Sequence, residues 1–588
     1  MSSAAAGAAR ATLTPPAPRW TARCDAAPAA EAVAALAAEL HLPDPLCRLL
    51  VQRGHALAAS ARAHLRPRVE SLHDPFLLAD MAAAVDRIGV AIDQRERILV
   101  HGDYDVDGIC SATLYTRVLR RLGADVEAFV PHRLTDGYDL GQAGVRRASE
   151  SGATLILTGD CGIVAHDAIE AAAAAGIDVI VTDHHTPGAT LPGACAVVNP
   201  NRADCTYPEK GLAGAGVAFK LCQALARRRG LDEQELLWYL DLVALATIAD
   251  LAPLGGENRV LAHFGLRVMA QTRNPGLAAL VRTAAIDAAA GIGAGQVSHV
   301  LAPRLNAVGR LGAAARGVRL LLAEEEAEAA ALAQESGEEN RARQNLDRST
   351  LERALADLEQ WYDPTQHFGI VLAGEDWHPG VIGIVAARVV ERIHRPVVMI
   401  SLDAAAGRGR GSARSIPRFD LYAAIHACAP LLERYGGHHQ AAGLELRSER
   451  LEAFRAAFNE HARALLGGQD LRPELKLDLE LRLRDANAEL ARLLRHFGPF
   501  GIGNPAPVFW SRSVRVLGYP REVGEGHIKL RVMQDGAELP AIGFRMAERL
   551  REVDVTRGPI DIAYQVQENH WQGRIELQLK LLDLRPAE

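Results

Sequence analysis

The stretch Ile98–Cys110, ILVHGDYDVDGIC, sets an apolar run directly before a crowd of carboxylates. Ile98–Val100 has the composition of a buried strand, and the residues from Gly108 to Leu122 predict the helix that follows it. Between them, Asp103, Asp105 and Asp107 occupy alternate positions. Like charges gathered at the end of a buried strand repel one another unless a cation neutralises them. The stretch therefore predicts a strand–loop–helix unit that binds a cation.

The chain repeats this strand–helix alternation up to about residue 250. Further apolar runs predict strands, and the stretches between them predict helices. The predicted strands are Ile98–Val100, Thr154–Leu157, Val179–Val181 and Ala196–Val198, and the predicted helices are Gly108–Leu122, Ala165–Ala175 and Gly216–Arg228. Continuous apolar strands that alternate with helices indicate a mostly parallel sheet covered on both faces.

The remaining chain predicts a second lobe and a terminal β domain. Residues 313–360 lack proline and are rich in Ala, Glu, Arg and Leu, which favours one or two long helices. A second αβ pattern follows, with strands Gly369–Leu372 and Pro396–Ile400 and helices Gly380–Ile393 and Leu421–Arg434. The last 120 or so residues contain short alternating runs between glycine turns, as in a small antiparallel barrel.

The predicted fold class is α/β, with two lobes joined by long helices and a C-terminal β-barrel that resembles an OB fold. We predict five segments: an N-terminal extension and helical region (1–70), a parallel-sheet catalytic domain (71–300), a helical connector (301–362), a second αβ domain (363–466) and the barrel (467–588).

Bulk composition limits the possible classes of protein. The 588 residues are 49% hydrophobic and 23% charged, typical of a soluble protein with several domains. A net charge of -7 argues against a generally basic nucleic-acid-coating protein but allows a local basic groove. The eight cysteines form no C-x-x-C pair, which argues against a zinc ribbon or disulfide framework and fits a reducing cytoplasm. We expect no signal peptide and no membrane span, since no apolar run is long enough.

Four clusters of metal-type ligands are predicted to meet. They are His101 with Asp103, Asp105 and Asp107; Asp160 in ILTGDCG; Asp183-His184-His185 in VIVTDHH; and Asp250 in ALATIADLAP, at a predicted helix end. The first three follow strands of a parallel sheet, whose carboxyl ends share one rim. Asp oxygens mixed with His nitrogens suit Mn²⁺ or Mg²⁺, and so many ligands indicate two ions. Two ions about 3.5–4 Å apart can promote phosphoester hydrolysis.

Purely structural interpretations carry less weight. An isolated aspartate at a strand end, such as Asp160, is usually a turn or helix-capping residue. The D-x-D-x-D-G pattern also resembles the start of an EF-hand loop, but the twelfth residue from Asp103 is Leu114 rather than glutamate. The joint pattern therefore favours the metal site.

Ten motifs in this order resemble the DHH phosphoesterase superfamily. They are HGDYDVDG, TGDCGI, TDHH, LAGAGVAFK, LVALATIADLAPL, PRLNAVGRLG, WHPGVIGIVAAR, GSARSI, GGHHQAAG and PFGIGNPAPVF, from about residue 70 to the end. The later motifs and the length resemble the superfamily's single-stranded-DNA-specific 5′→3′ exonucleases. The resemblance implies a catalytic DHH domain, a DHHA1-like second lobe, and hydrolysis of single-stranded DNA to mononucleotides with two Mn²⁺ or Mg²⁺ ions, in repair and recombination.

Two other functions stay open at this stage. One is a DHH phosphatase that acts on pyrophosphate, cyclic dinucleotide products or short oligonucleotides, although such proteins usually lack the connector and the terminal β domain. The other is an inactive DNA-binding scaffold, which would be expected to have lost metal ligands. All four clusters are intact here.

The resemblance also implies roles for individual residues. It makes metal ligands of Asp105, Asp107, Asp160, His184 and Asp250, with Asp160 bridging both ions. Asp103 is implied as a ligand or an outer support, and His101 as a further ligand. Asp183 would orient a neighbouring histidine, and His185 would contact the scissile phosphate.

Substrate contacts are expected from both lobes. The candidates are Arg133, Arg304, Asn306, Arg310, Ser412, Arg414, Ser415 and His438. Residue chemistry alone leaves two interpretations open for the glycine-rich segment GRGRGSARSI, a surface turn and an anion cradle. The resemblance favours the cradle, with Arg133, Ser412 and Arg414 at the 5′ end of the strand. It also implies a single-stranded-DNA-binding protein and a helicase as partners, and we expect a monomer.

The chain departs from the family pattern at two positions. It reads DGYDL where the family usually has DGYGL, so that Asp139 replaces a glycine. His439 stands in GGHHQAAG where a small residue is common. Both positions lie near expected substrate contacts and bear on substrate preference.

Overall fold

The structure of the chain is a computed structural model that describes residues 13, 15–24, 26–132, 136–137, 139–310, 314–571 and 574–587. It divides into two compact units. The first unit comprises Ala29–Arg341 and Arg492–Ala506. The second comprises the described residues up to Pro28, together with Ala342–Ala491 and Pro507–Glu588.

A five-stranded parallel sheet forms the centre of the first unit. Its strands lie in the spatial order Asp125–Phe129, Arg97–Gly102, Leu155–Gly159, Asp178–Thr182 and Ala196–Val198. The strand order reverses between Arg97–Gly102 and Leu155–Gly159, and ligands of open α/β sheets bind beyond the carboxyl ends at such a point. The topology therefore places the loops after these two strands at the expected ligand-binding position.

Helices cover both faces of this sheet. In Arg97–Gly102, Ile98 and Val100 pack into one apolar cluster while Leu99 packs into the other. The α-helices of the unit are Ala30–Leu40, Asp44–Gln52, Ala58–Leu65, Met81–Asp93, Val106–Arg121, Gln142–Ser151, His166–Ala174, Gly214–Arg229, Glu233–Leu236, Leu240–Ala249, Gly256–Met269, Pro275–Thr283, Ala294–Gln296, Ala302–Arg310 and Ala314–Leu322. The predicted parallel sheet with two covered faces is confirmed.

A mixed five-stranded sheet forms one half of the second unit. Its strands lie in the order Arg434–Gly437, Ala441–Arg447, Arg408–Arg414, Val397–Asp403 and Ile370–Gly374, and only the last two pair in parallel. Helices Ile382–Ile393, Leu421–Ala427 and Leu451–Leu466 belong to this half. The sheet is buried on both faces, since Val371 and Val398 pack on one side and Ile370 and Val397 on the other.

Two local details of this half differ from the sequence analysis. The surface turn that was left open for the glycine-rich segment is excluded, because Arg408–Arg414 is an inner strand that pairs with a neighbour on each side. Its glycines make room for neighbouring side chains: a β-carbon on Gly411 would lie 2.7 Å from Leu444 Cδ1. The helix predicted over Leu421–Arg434 ends at Ala427, since Pro430 has no N–H with which to continue it.

The other half of the second unit is a closed β-barrel. Its strands follow the order Leu479–Glu480, Phe509–Val523, His527–Gln534, Ala537–Gly543, Arg574–Pro586 and Ile560–Trp571. Phe509–Val523 also pairs with Ile560–Trp571, which closes the sheet. A separate parallel pair joins Arg19–Ala22 to Glu474–Leu477. Helix Ala547–Glu552 also belongs to this half, and the residues of helix Ala488–Leu494 are divided between the two units. The predicted barrel is confirmed.

The predicted long connector is the helix Glu326–Trp361, whose residues belong to both units. Its 36 residues give a length of about 54 Å at 1.5 Å per residue. Among the helices that the structure describes, none is both long and apolar enough to cross a lipid bilayer.

Candidate active site

The aspartate-rich loop lies where strand pairing places it beside Asp160. Gly102 pairs with Gly159 in neighbouring parallel strands, so the next residues, Asp103 and Asp160, leave the sheet side by side. A β-carbon on Gly102 would lie 2.4 Å from the carbonyl oxygen of Gly108. Only glycine allows the following helix to begin so close to the strand end.

Asp105 caps the helix that follows the loop. Its Oδ1 accepts hydrogen bonds from the backbone N–H groups of Asp107 (2.9 Å) and Gly108 (3.2 Å). A β-carbon on Gly108 would lie 2.3 Å from the backbone nitrogen of Asp103, so the loop folds back on itself only with glycine there. The aspartates at alternate positions therefore lie in a turn that Asp105 caps, and this turn directs their carboxylates inward.

Asp107 is held by the first turn of another helix. Its Oδ2 and Oδ1 accept from the backbone N–H groups of Gly214 (2.7 Å) and Ala215 (2.6 Å), at the start of Gly214–Arg229. A β-carbon on Gly214 would lie 2.6 Å from Cβ of Asp160. These two supporting residues were missed from the sequence, although the small residues of LAGAGVAFK were a visible signal.

Three groups of residues each bring their possible ligand atoms within 4.8 Å of one another. The groups are Asp107 with His184 and Asp250; Asp103 with Asp105 and Asp160; and Asp160 with His184 and His185. The Nε2 atom of His184 lies 3.1 Å from Asp160 Oδ1, 3.8 Å from Asp107 Oδ2 and 3.7 Å from Asp250 Oδ2. Asp160 therefore stands between the first two groups, where one carboxylate can serve two ions.

The burial of these groups fits divalent cations. Asp160 is only 3% exposed. Within the described part of the chain, Asp103 Oδ1, Asp160 Oδ1 and His184 Nε2 are buried without a hydrogen-bond partner. Native proteins rarely leave buried polar atoms unsatisfied unless an ion or water completes them. Oxygen and imidazole donors of this kind suit Mn²⁺ or Mg²⁺.

The electrostatics support the same interpretation. Burial, and then the neighbouring Asp105, raises the pKa of Asp103 to about 7. Burial, and then Asp107 and Asp105, raises the pKa of Asp250 to about 8. Burial also raises the pKa of Asp107 and Asp160. The carboxylates are therefore hard to ionise together by themselves, and bound cations would remove the conflict.

Asp183 and His185 form a pair beside these groups. Asp183 Oδ1 lies 2.8 Å from Nδ1 of His185 and also accepts from the backbone N–H groups of His184 and His185. The hydrogen bond that His185 donates to Asp183 raises the pKa of His185 to about 9. Burial acts to raise the pKa of Asp183, but the bond from His185 outweighs it and the net shift is downward. A protonated His185 can therefore donate through Nε2.

His101 is not a member of any ligand group in the described residues. Its ring is fully buried, with Nδ1 3.5 Å from Cys161 Sγ. A β-carbon on Gly144 would lie 2.8 Å from its Nε2, so this edge packs against the helix Gln142–Ser151. Burial lowers the pKa of His101 to about 4. Within the described residues its Nε2 is also buried without a hydrogen-bond partner, and its role as a ligand stays a prediction.

The substrate candidates of the first unit lie in different settings. Asn306 accepts from the backbone N–H of Val106 (3.3 Å), between two predicted ligands, and so supports the aspartate loop. Arg304 Nη1 donates to the carbonyl of Val300. Arg133 and the side chain of Arg310 lie outside the described residues.

Of the substrate candidates of the second unit, Ser412 and Arg414 lie on the strand Arg408–Arg414 and Ser415 follows it, while His438 lies in the turn between Arg434–Gly437 and Ala441–Arg447. A β-carbon on Gly383 would lie 2.7 Å from Ser412 Oγ and 3.0 Å from Arg414 Nη2, so both side chains lie at the first turn of Ile382–Ile393. Ser415 instead donates to the carbonyl of Phe419 (2.7 Å). His438 is exposed. The structure therefore brings Ser412 and Arg414 together at a helix start.

Comparisons with known proteins agree with this fold and site. Residues 97–247 match the DHH family, N-terminal domain; residues 366–464 match the DHHA1 domain; and residues 477–583 match the RecJ OB domain. The parallel sheet with its carboxylate and histidine groups therefore defines a phosphoesterase of the DHH class.

The similarity extends over most of the chain. The single-stranded-DNA-specific exonuclease RecJ of Bacillus subtilis (strain 168) is 38% identical over 566 residues, which cover 95% of this chain and 70% of that protein. Two structures of RecJ from Thermus thermophilus each cover 97% of this chain. The Mn²⁺ complex has a TM-score of 0.82 and is 33% identical, and the match covers 80% of its chain. The Mg²⁺ complex has a TM-score of 0.76 and is 30% identical, and the match covers 79% of its chain. The chain belongs to the RecJ family of single-stranded-DNA-specific exonucleases.

Proposed function

We propose that the protein is a metal-dependent exonuclease that hydrolyses single-stranded DNA from the 5′ end to mononucleotides, in DNA repair and recombination. The observation that carries the proposal is the pair of ligand groups at the carboxyl ends of the parallel strands, with Asp160 between them. A family of single-stranded-DNA-specific exonucleases with Mn²⁺-bound and Mg²⁺-bound members supports the substrate and the ions.

We assign the two ligand groups to two divalent cations. Asp107, His184 and Asp250 would hold one ion, and Asp103, Asp105 and Asp160 the other, with Asp160 shared. Two such ions, when bound, activate a water molecule and stabilise the leaving oxygen of a phosphodiester. The chain itself fixes the carboxylates: the start of Gly214–Arg229 holds Asp107, and Asn306 supports the loop of Asp105.

His185 acts on the substrate in this proposal rather than as a ligand. Its Nδ1 is taken by Asp183, which keeps the ring oriented and protonated. Its Nε2 would then donate to an oxygen of the scissile phosphate, whose negative charge grows as the bond breaks. Asp183 is thus a positioning residue for His185.

We assign the 5′ end of the strand to Ser412 and Arg414, and the family resemblance adds Arg133 as a further proposed contact. The first two lie at the start of Ile382–Ile393, where backbone N–H groups and a helix dipole favour an anion. An arginine adds charge-assisted hydrogen bonds to phosphate. Recognition of a terminal phosphate would explain why cleavage proceeds from that end. Arg304, Arg310, Ser415 and His438 remain proposed contacts to the strand.

The wider organisation follows the same proposal. We retain the segments 1–70, 71–300, 301–362, 363–466 and 467–588 as proposed domains, and each of the three family matches falls within one of them. The barrel would hold the trailing strand, as OB folds do.

We propose a cytoplasmic monomer that meets its substrate with a single-stranded-DNA-binding protein and a helicase. Light scattering and co-purification test these assignments.

The central experiment uses a long single-stranded DNA labelled at either end, with and without Mn²⁺. We expect mononucleotides to be released from the 5′ end only and only with the ion. Asp160→Asn should lower kcat by about 1,000-fold or more, since several kcal/mol of transition-state stabilisation depends on the ions. Asp167→Asn, an exposed carboxylate in a nearby helix, is the matched control and should leave kcat unchanged.

Two results would contradict the proposal. Release from the 3′ end would exclude the polarity. Inactivity on the polymer with rapid hydrolysis of pyrophosphate would instead support a DHH phosphatase for small phosphate substrates.

A further inference from the structure

Asp139 is a half-buried loop carboxylate at a position where the family pattern has glycine. Its φ is +69°, in the left-handed region. Glycine adopts this conformation without strain, and asparagine and aspartate are the side-chain-bearing residues that tolerate it best. Asp139 therefore holds a conformation that glycine would adopt without strain, and its side chain adds a carboxylate there.

The carboxylate of Asp139 hydrogen bonds to the loop that carries Asp160. Its Oδ1 accepts from the backbone N–H of Gly162 at 2.6 Å and from that of Leu140 at 2.8 Å. Gly162 is buried, with φ +108°, and follows Asp160, whose own φ is +67°. A loop with two left-handed positions so close together depends on its hydrogen bonds for its shape.

Other hydrogen bonds tie this loop to the strand next to it and to the strand that leads into it. The N–H of Asp160 donates to Thr182, and the carbonyl of Cys161 accepts from Thr158 Oγ1. The N–H of Ile163 donates to Asp183 Oδ2. The bond from Gly162 to Asp139 joins the loop instead to the segment just before the helix Gln142–Ser151.

Asp139 also contacts the other ligand loop. Its backbone N–H hydrogen bonds with the carboxylate of Asp103, which burial and Asp105 otherwise drive towards protonation. One residue thus donates to Asp103 and accepts from the loop of Asp160. These two aspartates belong to one ligand group.

We propose that Asp139 is a positioning residue of the metal centre, which fixes the separation of Asp103 and Asp160 by hydrogen bonding to both of the loops that carry them. The inference rests on the proposed two-cation site. It predicts that the side-chain acceptor, and not the negative charge, is what matters. Asparagine at this position should therefore replace aspartate, because its side-chain oxygen accepts the same bonds in the same backbone conformation.

The test measures Mn²⁺ binding by calorimetry on the full chain without DNA, and kcat and KM on single-stranded DNA as a function of Mn²⁺ concentration. Asp139→Gly keeps the backbone conformation and removes the acceptor. We expect its Mn²⁺ dissociation constant to rise about tenfold, as is typical when an outer hydrogen-bond partner of a metal site is lost. Its kcat at saturating Mn²⁺ should fall much less, and KM for DNA should stay the same. Asp139→Asn should bind Mn²⁺ within about twofold of wild type.

Asp136→Asn is the matched control. Asp136 is an exposed carboxylate of the same segment, and its Oδ2 accepts from the backbone N–H of His132. Its removal should leave Mn²⁺ binding within about twofold of wild type. Circular dichroism without metal checks that each variant is folded. If Asp139→Gly does not fold, Asp139→Asn decides, because the proposal requires it to bind Mn²⁺ as wild type does.

Three results would overturn the inference, and a fourth concerns the proposed function. Wild-type binding by Asp139→Gly would show that the bond to Gly162 does not matter. Equal losses in Asp139→Asn and Asp139→Gly would assign the effect to charge. A loss in Asp136→Asn as large as that in Asp139→Gly would assign it to the segment as a whole. A wild-type protein that neither binds Mn²⁺ nor degrades DNA would instead refute the two-cation site itself.

Discussion

Replacing Arg414 by alanine tests whether the second unit recognises a 5′ phosphate. Arg414 is half-buried on the strand Arg408–Arg414, where its Nη1 donates to the carbonyl of Ala413 (2.8 Å) and to Ser412 Oγ (3.3 Å). These bonds hold the guanidinium against the start of Ile382–Ile393, beside Gly383. A terminal phosphate placed there would meet a guanidinium, a hydroxyl and helix N–H groups together.

The size of the effect follows from the type of bond. A hydrogen bond to a charged group contributes about 1.5–3 kcal/mol. Arg414→Ala should therefore lower kcat/KM on a 5′-phosphorylated strand by about 10–150-fold. A 5′-hydroxyl strand presents no terminal phosphate, so its kcat/KM should fall by less than about threefold, from general loss of positive charge.

The assay compares two oligonucleotides that differ only in the 5′ group, at fixed salt and Mn²⁺. Arg410→Ala is the control, because Arg410 lies on the same face of the same strand but already pairs with Glu445 at 3.1 Å. It should change both rates by less than about threefold. An equal loss on both strands by Arg414→Ala would refute recognition of the 5′ phosphate.

Two further predictions concern stability in the first unit. Glu257 and Lys220 form an ion pair with both side chains 0% exposed, so Glu257→Gln should lower the free energy of unfolding by about 3–5 kcal/mol in urea titrations. The exposed pair of Glu233 with Arg227 is the control, and Glu233→Gln should cost less than about 1 kcal/mol. Burial, and then Arg259, lowers the pKa of His64 to about 3. The unfolded chain takes up this proton near pH 6.5 and the folded chain does not. The free energy of unfolding should therefore decrease as the pH drops below about 6.5, by up to about 1.4 kcal/mol per pH unit. His64→Gln should flatten that slope in urea titrations between about pH 7.5 and 5, and an unchanged slope would show that His64 contributes nothing.

Periodicity and motif order were enough for the architecture. Apolar runs such as Leu155–Leu157 predicted buried parallel strands, because strands covered on both faces have no polar side. The convergence of Asp103, Asp160 and Asp183 followed from one rule, since carboxyl ends of parallel strands share an edge. The fold class and the family therefore follow from local patterns of residues and from their order along the chain.

Contacts between distant segments were not accessible in the same way. Asn306 was interpreted as a substrate contact because it lies in a basic motif, and no local pattern indicated that it also accepts from Val106 in the aspartate loop. For the glycines of Arg408–Arg414 a surface turn and an anion cradle were both left open, and the structure places them in an inner strand. Glycine composition indicates that space is limited at a position and does not say whether a ligand or a neighbouring side chain needs that space.

The sequence by itself determined which residue types reach the rim of the sheet, and hence the chemistry of the site. Only the tertiary structure decided how that rim is held. Asp107 rests on the start of a helix 107 positions further along, and Asp139 connects to the loop of Asp160 across 23 positions. The end of a strand can be predicted from the local pattern of residues, because burial and strand pairing act on consecutive residues. The acceptor for one buried N–H depends on which loops the completed fold brings together, and no local pattern encodes that choice.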